Sequence, residues 1–231
     1  MRETDINAIT SKSLRERKYL DLLPEYYDLA TVTENGLWHN NQNVLDHVIG
    51  VFEGLETVLS FEGLDQSQAD LLKEHLSGRL ERLSRKKALI VATLLHDIAK
   101  TETLVKSPDG TTRCPGHELI GAGRVGKFTE RFGLGQQDKE YVERIVRYHG
   151  LISDFLTLII SNGKREKYLK IFRETVGDVG IELVLLMKAD LLGSDLEKGD
   201  KKGYDDRMSI LSSMLDNLIK SERAERKRLN T

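Results

Sequence analysis

Four polar residues stand where the surrounding pattern is apolar. His47 falls on a stripe made by Val44, Val48, Val51, Leu55 and Val58, which recurs at three- and four-residue steps. His96 and Asp97 follow directly on Leu89-Ile90-Val91-Ala92-Thr93-Leu94-Leu95. Asp190 lies within the run from Leu183 to Leu192, on the same helical face as Leu183, Leu186 and Met187. An ionised carboxylate in such surroundings costs several kcal/mol unless it is paired or coordinates a metal. Two of them in two apolar helices ask for one shared explanation, and a divalent cation supplies it, because mixed imidazole and carboxylate ligands suit Zn, Fe, Mn, Co or Ni. His47, His96, Asp97 and Asp190 are therefore candidate metal ligands, converging at the centre of a helical bundle. His117 and His149 are candidates for a second metal or for phosphate contacts. Lys100, Arg124 and Arg147 are candidates for phosphate oxygens. Each residue also has an ordinary reading: a hydrogen-bonded core histidine, an aspartate paired with a buried base, a solvated lysine at a helix end. The joint pattern favours the metal, since otherwise every buried polar group needs a partner of its own.

Helical periodicity supplies the elements that must carry these residues. The helix bearing His47 has Asn41 or Asn43 available as N-cap. Leu71, Leu72, Leu76, Leu80 and Leu83 form a second stripe. Ser84 can cap a third helix, whose stretch Ala88 to Leu95 is apolar on every side and so reads as buried. Tyr141, Val142, Ile145, Val146 and His149 trace another helix, stopped by Gly150. Further helices are expected over 151–161, 164–175, 178–193 and 204–228, with a charged, mobile loop over 197–203. Strand signal is confined to one hairpin, Thr103-Leu104-Val105 and Thr111-Thr112-Arg113 around the turn 107–110. The expected fold is all-α: an N-terminal extension over 1–20 and a single helical domain over 21–231.

Composition agrees. The 231 residues are enough for one large domain, and 39% hydrophobic with 31% charged residues excludes fibrous and wholly disordered classes. Lys and Arg number 35 against 37 Asp and Glu, so no overall basic field advertises nucleic acid. The single Cys114 cannot close an intramolecular disulfide, which suggests a reducing compartment. No apolar stretch follows the charged first residues, and no run approaches the ~20 residues of a membrane span. A cytoplasmic protein without membrane contact is expected.

Gly121-Ala122-Gly123-Arg124-Val125-Gly126-Lys127 matches G-x-G-x-x-G and nearly matches a P-loop, but Phe128 offers no hydroxyl for Mg²⁺ and no strand precedes it. Its small residues are expected to let two helices approach closely, or to keep space open beside the metal.

The order His47, then His96-Asp97, then Asp190 resembles the HD-domain superfamily of metal-dependent phosphohydrolases, and Leu94-Leu95-His96-Asp97-Ile98-Ala99-Lys100 is similar to its "HDIGK" turn. Within it, Leu22-Leu23-Pro24-Glu25, Trp38-His39 before Asn43-Val44-Leu45-Asp46-His47, and Pro115-Gly116-His117-Glu118 resemble the HD portion of bacterial CCA-adding tRNA nucleotidyltransferases. Their nucleotidyl-transfer head has no counterpart in the twenty residues before the matching region, so nucleotide addition to tRNA is not expected. The resemblance implies an all-α HD-type bundle that hydrolyses phosphomonoesters or phosphodiesters, with a nucleotide or other small phosphoester as substrate. It implies a divalent metal (Zn, Mn, Fe, Co, Ni or Mg), one or two ions, held by His47, His96, Asp97 and Asp190. Asp97 would also orient or deprotonate the attacking water, and Lys100 would meet the phosphate. The alternative is an RNA-binding or tRNA-end-processing factor with the HD core as platform, motivated by the tail Arg223-Ala224-Glu225-Arg226-Lys227-Arg228. The oligomeric state is not legible.

Overall fold

The computed structural model describes residues 5–36 and 38–229. The first four residues of the expected extension, and the side chains of Glu225, Arg226 and Lys227 in the basic tail, lie outside the described residues. The longer helices are α1 Val44–Val58, α2 Gln66–Ser77, α3 Arg85–Leu95, α4 His117–Arg124, α5 Gln136–Asn162, α6 Arg165–Val176, α7 Gly180–Gly193 and α8 Lys201–Leu229. Two antiparallel pairs of two-residue strands complete the fold: β1 Thr33–Glu34 with β2 Gln42–Asn43, and β3 Val105–Lys106 with β4 Thr112–Arg113. The protein is all-α with a short hairpin. Among the described residues no helix is long and apolar enough to cross a membrane.

Two helices form the centre. In α3 every residue from Ala88 to Leu95 is buried, and in α7 Gly180 to Met187 are buried without interruption. Around α7 pack α1, α8 and α5, while α4 lies along α5. Ile6, Ile9 and Leu14, from the segment expected as an extension, belong to the same apolar core, and Ser11 donates from its amide and hydroxyl to Glu56. Asn43, the second of the two expected caps, accepts from Leu45 N, and Ser84 accepts from Lys87 N.

Three local expectations fail, each for a physical reason. The leucine stripe leaves the helix at Ser77, and the chain over 79–84 turns instead. The buried carboxylate of Asp138 accepts from the amides of Glu81, Arg82, Leu83 and Gly135, giving that turn hydrogen bonds no helix could match. Gly150 does not end its helix, because α5 runs on to Asn162. The glycine instead makes room for the Glu118 carboxylate, which a Cβ there would strike. The charged segment 197–203 is not a loop: Leu196–Gly199 form a helical turn, Asp200 accepts from Gly203 N, and α8 begins at Lys201. Buried Leu196 and Tyr204 anchor this stretch, and Lys201–Asp205 and Lys202–Asp206 support it as i,i+4 pairs.

A buried ionic knot ties α2, α7 and α8 together. His75 Nε2 lies 2.8 Å from Glu182, His75 Nδ1 lies 2.7 Å from Glu222, and Arg85 stands 3.6 Å from Glu182. Burial opposes charge on His75, but the hydrogen bonds and charges of the two glutamates reverse this and raise its pKa to about 9. A histidine whose folded pKa exceeds its unfolded value stabilises fully below about pH 6.5, and that contribution disappears as pH rises through about 9. The melting temperature should therefore fall across this window, reflecting at most about 3 kcal/mol. His75→Gln should flatten the profile; an unchanged slope in that variant would remove His75 as its source.

Candidate metal centre

Five elements deliver six side chains to one point. His47 comes from the first turn of α1, and Asp190 from the last turn of α7. His96 and Asp97 sit where α3 gives way to a turn, His117 opens α4, and His149 projects from α5. The four residues expected to converge do so, and His117 and His149 join them. The ligand-type atoms fall into two sets, each within 4.8 Å: His47, His96 and Asp190, and Asp97, His117 and His149.

Asp97 stands between the two sets. Its Oδ2 faces His47 Nε2 at 3.6 Å, His96 Nε2 at 3.3 Å and the Lys100 ammonium at 2.9 Å. Its Oδ1 faces His117 Nε2 at 3.2 Å and His149 Nε2 at 3.7 Å. Asp190 Oδ1 lies 3.1 Å from His47 Nε2 and 4.0 Å from His96 Nε2. Burial pushes the carboxyl of Asp97 upward, but the imidazole of His96 when protonated, the Lys100 ammonium, and the rings of His117 and His149 when protonated outweigh it and hold Asp97 well below the usual range. Burial likewise acts on Asp190, and His47 overrides it.

The histidines share one orienting device. The Nδ1 atoms of His96, His117 and His149 each lie 2.7 Å from the backbone carbonyl three residues earlier, those of Thr93, Cys114 and Val146. His47 Nδ1 lies 3.3 Å from the carbonyl of Gly193. A carbonyl only accepts, so the proton belongs on Nδ1 and the Nε2 lone pair of each neutral ring faces inward. All four lone pairs then point at carboxylates or at each other; His117 Nε2 and His149 Nε2 are 3.2 Å apart. Among the described residues His96 Nε2 is buried with no hydrogen-bond partner. Converging lone pairs and carboxylates repel unless positive charge lies between them. The donor set and its carbonyl-fixed outer contacts fit divalent cations.

Lys100 is not the solvated helix-end lysine its position allowed. It is buried, with its ammonium 2.6 Å from Glu34 and 2.9 Å from Asp97. Burial lowers its pKa, and those two carboxylates more than restore it, so it stays charged. Arg124 pairs with Glu102, and Arg147 is exposed; neither lines the cavity over the six residues. That cavity, about 390 Å³, is also bordered by Asn35, Trp38, His39, Glu118, Ser153 and Asp154. Gly121, from the glycine-rich segment, sits inside α4, where a Cβ would press on Val146 of α5 at 3.3 Å. Its smallness therefore serves helix packing.

Sequence reasoning missed Glu34, His39 and Glu118 as members of the site. His39 stacks edge-on against His47 with centroids 4.4 Å apart, and its Nδ1 lies 2.9 Å from Gln42 Oε1. Its only trace in the sequence was its place before the His47 helix.

The comparisons agree with this geometry. A bifunctional uridylyltransferase/uridylyl-removing enzyme of Ruegeria pomeroyi is 29% identical over 147 residues, 62% of this chain and 14% of that protein. One from Bordetella pertussis is 28% identical over 189 residues, 78% of this chain and 19% of that protein. The chain thus spans less than a fifth of the length of these relatives, and the nearness to CCA-adding enzymes expected from the sequence finds no support among them. The HD domain family matches residues 44–192, more than half of the chain, and that span contains all six converging side chains. The chain belongs to the HD domain family.

Proposed function

We propose that this protein is a two-metal phosphohydrolase that cleaves a nucleotidyl phosphoester, a phosphodiester by preference. The observation that carries the reading is the set of four imidazoles, each tied through Nδ1 to a backbone carbonyl and each aiming Nε2 at Asp97 or Asp190. In this reading His47, His96 and Asp190 would hold one cation and Asp97, His117 and His149 a second. Bound divalent cations supply positive charge for a phosphoryl oxygen and lower the pKa of water toward neutrality. Asp97 orients the attacking water, and Lys100, between Glu34 and Asp97, fixes the Asp97 carboxylate. Among the described residues no arginine lines the cavity. Water adds to phosphorus, the bond to the leaving oxygen breaks, and that oxygen takes up the proton. The relatives are named for uridylyl transfer and uridylyl removal; hydrolytic removal is the half that suits an HD site. Cys114, the single cysteine, has no partner in the chain for a disulfide, which suits the reducing cytoplasm.

The test joins metal uptake to turnover. Protein stripped with chelator and titrated with Mn²⁺ or Zn²⁺ should take up two equivalents. Ligand at a hundredfold excess over its Kd stabilises by about 2.7 kcal/mol per site, so each should raise the melting temperature by roughly 5–10 °C. The loaded protein should hydrolyse bis(p-nitrophenyl) phosphate. Neither uptake nor turnover with any of Mg, Mn, Fe, Co, Ni or Zn would overturn the reading.

A further inference from the structure

The cavity carries more carboxylate than a phosphate site needs. Glu34, Asp97, Glu118, Asp154 and Asp190 all border it, against a single ammonium, Lys100. Four of these acids are already engaged within the site: Glu34 and Asp97 pair with Lys100, Asp190 lies among the candidate metal ligands beside His47, and Glu118 lies beside His117. Asp154 is the exception. Among the described residues its carboxylate has no hydrogen-bond or ion-pair partner, and it is exposed at the rim of the cavity. Ser153 stands beside it on the same border.

Their position along α5 defines what they can reach. Ser153 is four residues beyond His149, and Asp154 four beyond Gly150, where Glu118 packs. Four residues of α-helix advance about 6 Å, so both side chains stand one turn outward from the imidazoles. A phosphoester held at the imidazoles directs its attached sugar outward by a distance of the same order. A carboxylate at that level repels a second phosphate and accepts only hydrogen-bond donors. Two oxygens on one carbon match the two adjacent hydroxyls of a ribose, and the Ser153 hydroxyl adds a further group for the same edge.

We infer that Asp154, assisted by Ser153, is a specificity-determining pair that binds the vicinal ribose hydroxyls of the substrate and so selects ribonucleotidyl over deoxyribonucleotidyl esters. This rests on the reading of the site as a nucleotidyl phosphohydrolase. Identity of the base is not part of it. The orientation follows from the same charges: phosphate toward the histidines, sugar toward α5.

The experiment compares the p-nitrophenyl ester of uridine 5′-phosphate with its 2′,3′-dideoxy analogue on the Mn²⁺-loaded full chain. Wild type should favour the ribonucleotide by about tenfold or more in kcat/KM, the size of one charge-assisted hydrogen bond. In Asp154→Ala that ratio should fall to near one, and Ser153→Ala should lower it partway. Affinities for UMP and 2′,3′-dideoxy-UMP, read by calorimetry, should show the same collapse and need no turnover. A wild-type ratio near one, or a ratio unchanged in Asp154→Ala, overturns the assignment. Failure to hydrolyse even the sugar-free bis(p-nitrophenyl) phosphate would instead overturn the phosphohydrolase reading, while the binding ratio still decides the role of Asp154.

Discussion

Asp97→Ala should reduce hydrolysis at least ~1,000-fold, a transition-state loss of about 4 kcal/mol. The size follows from where Asp97 stands. One carboxylate oxygen faces His47 and His96 and the other faces His117 and His149, so Asp97 presents an anionic oxygen to each side. Its removal should also lower metal uptake from two equivalents to one, while far-UV circular dichroism stays close to wild type, since Lys100 keeps Glu34 at 2.6 Å. Asp97→Asn separates charge from shape. It preserves volume but cannot offer an anionic oxygen to each set, and should lose activity to a similar degree. Retention of more than a tenth of the wild-type rate by either variant would place the chemistry elsewhere.

The site was legible where a polar residue interrupted a strong apolar period. His47 on the α1 stripe, His96-Asp97 at the end of α3 and Asp190 within α7 stand out because burial is readable from neighbours, and buried imidazoles and carboxylates need a common partner. The helices themselves follow from the same period, with Asn43 and Ser84 marking two of the starts. What escaped were groups on elements too short to have a period. Glu34 sits on a two-residue strand and His39 in the loop after it, so nothing in their surroundings signals burial. The glycines misled for a related reason. Gly150 reads as a stop because the sequence shows its missing side chain but not the Glu118 carboxylate that occupies the space. In the turn over 79–84, the hydrogen bonds that displace the helix come from Asp138, more than fifty residues away.

Close approach of α1 and α7 is the other determinant of the site, and it makes Gly54→Ala the second large effect. A Cβ at Gly54 would lie 2.5 Å from the carbonyl oxygen of Ala189 and 2.9 Å from Leu192 Cβ, so α7 itself must retreat. Alanine gains about 1 kcal/mol of helix propensity over glycine, whereas forcing backbone apart in a packed core costs about 1–3 kcal/mol or more. The clash meets main chain, not a flexible tip, so the cost wins. A net loss of about 2 kcal/mol should lower the melting temperature by roughly 4–8 °C. Ala189 immediately precedes Asp190, and Gly193, on the same turn, supplies the carbonyl that orients His47. Moving α7 away from α1 therefore opens the 3.1 Å separation between His47 and Asp190, and metal affinity should fall with stability. Gly123→Ala in α4 provides the contrast, because nothing lies within 4 Å of a Cβ there and no chain must yield. That variant should be neutral or gain up to about 1 kcal/mol. If Gly54→Ala melted as high as wild type and bound metal as tightly, backbone proximity of these two helices would not be what sets the distance between His47 and Asp190.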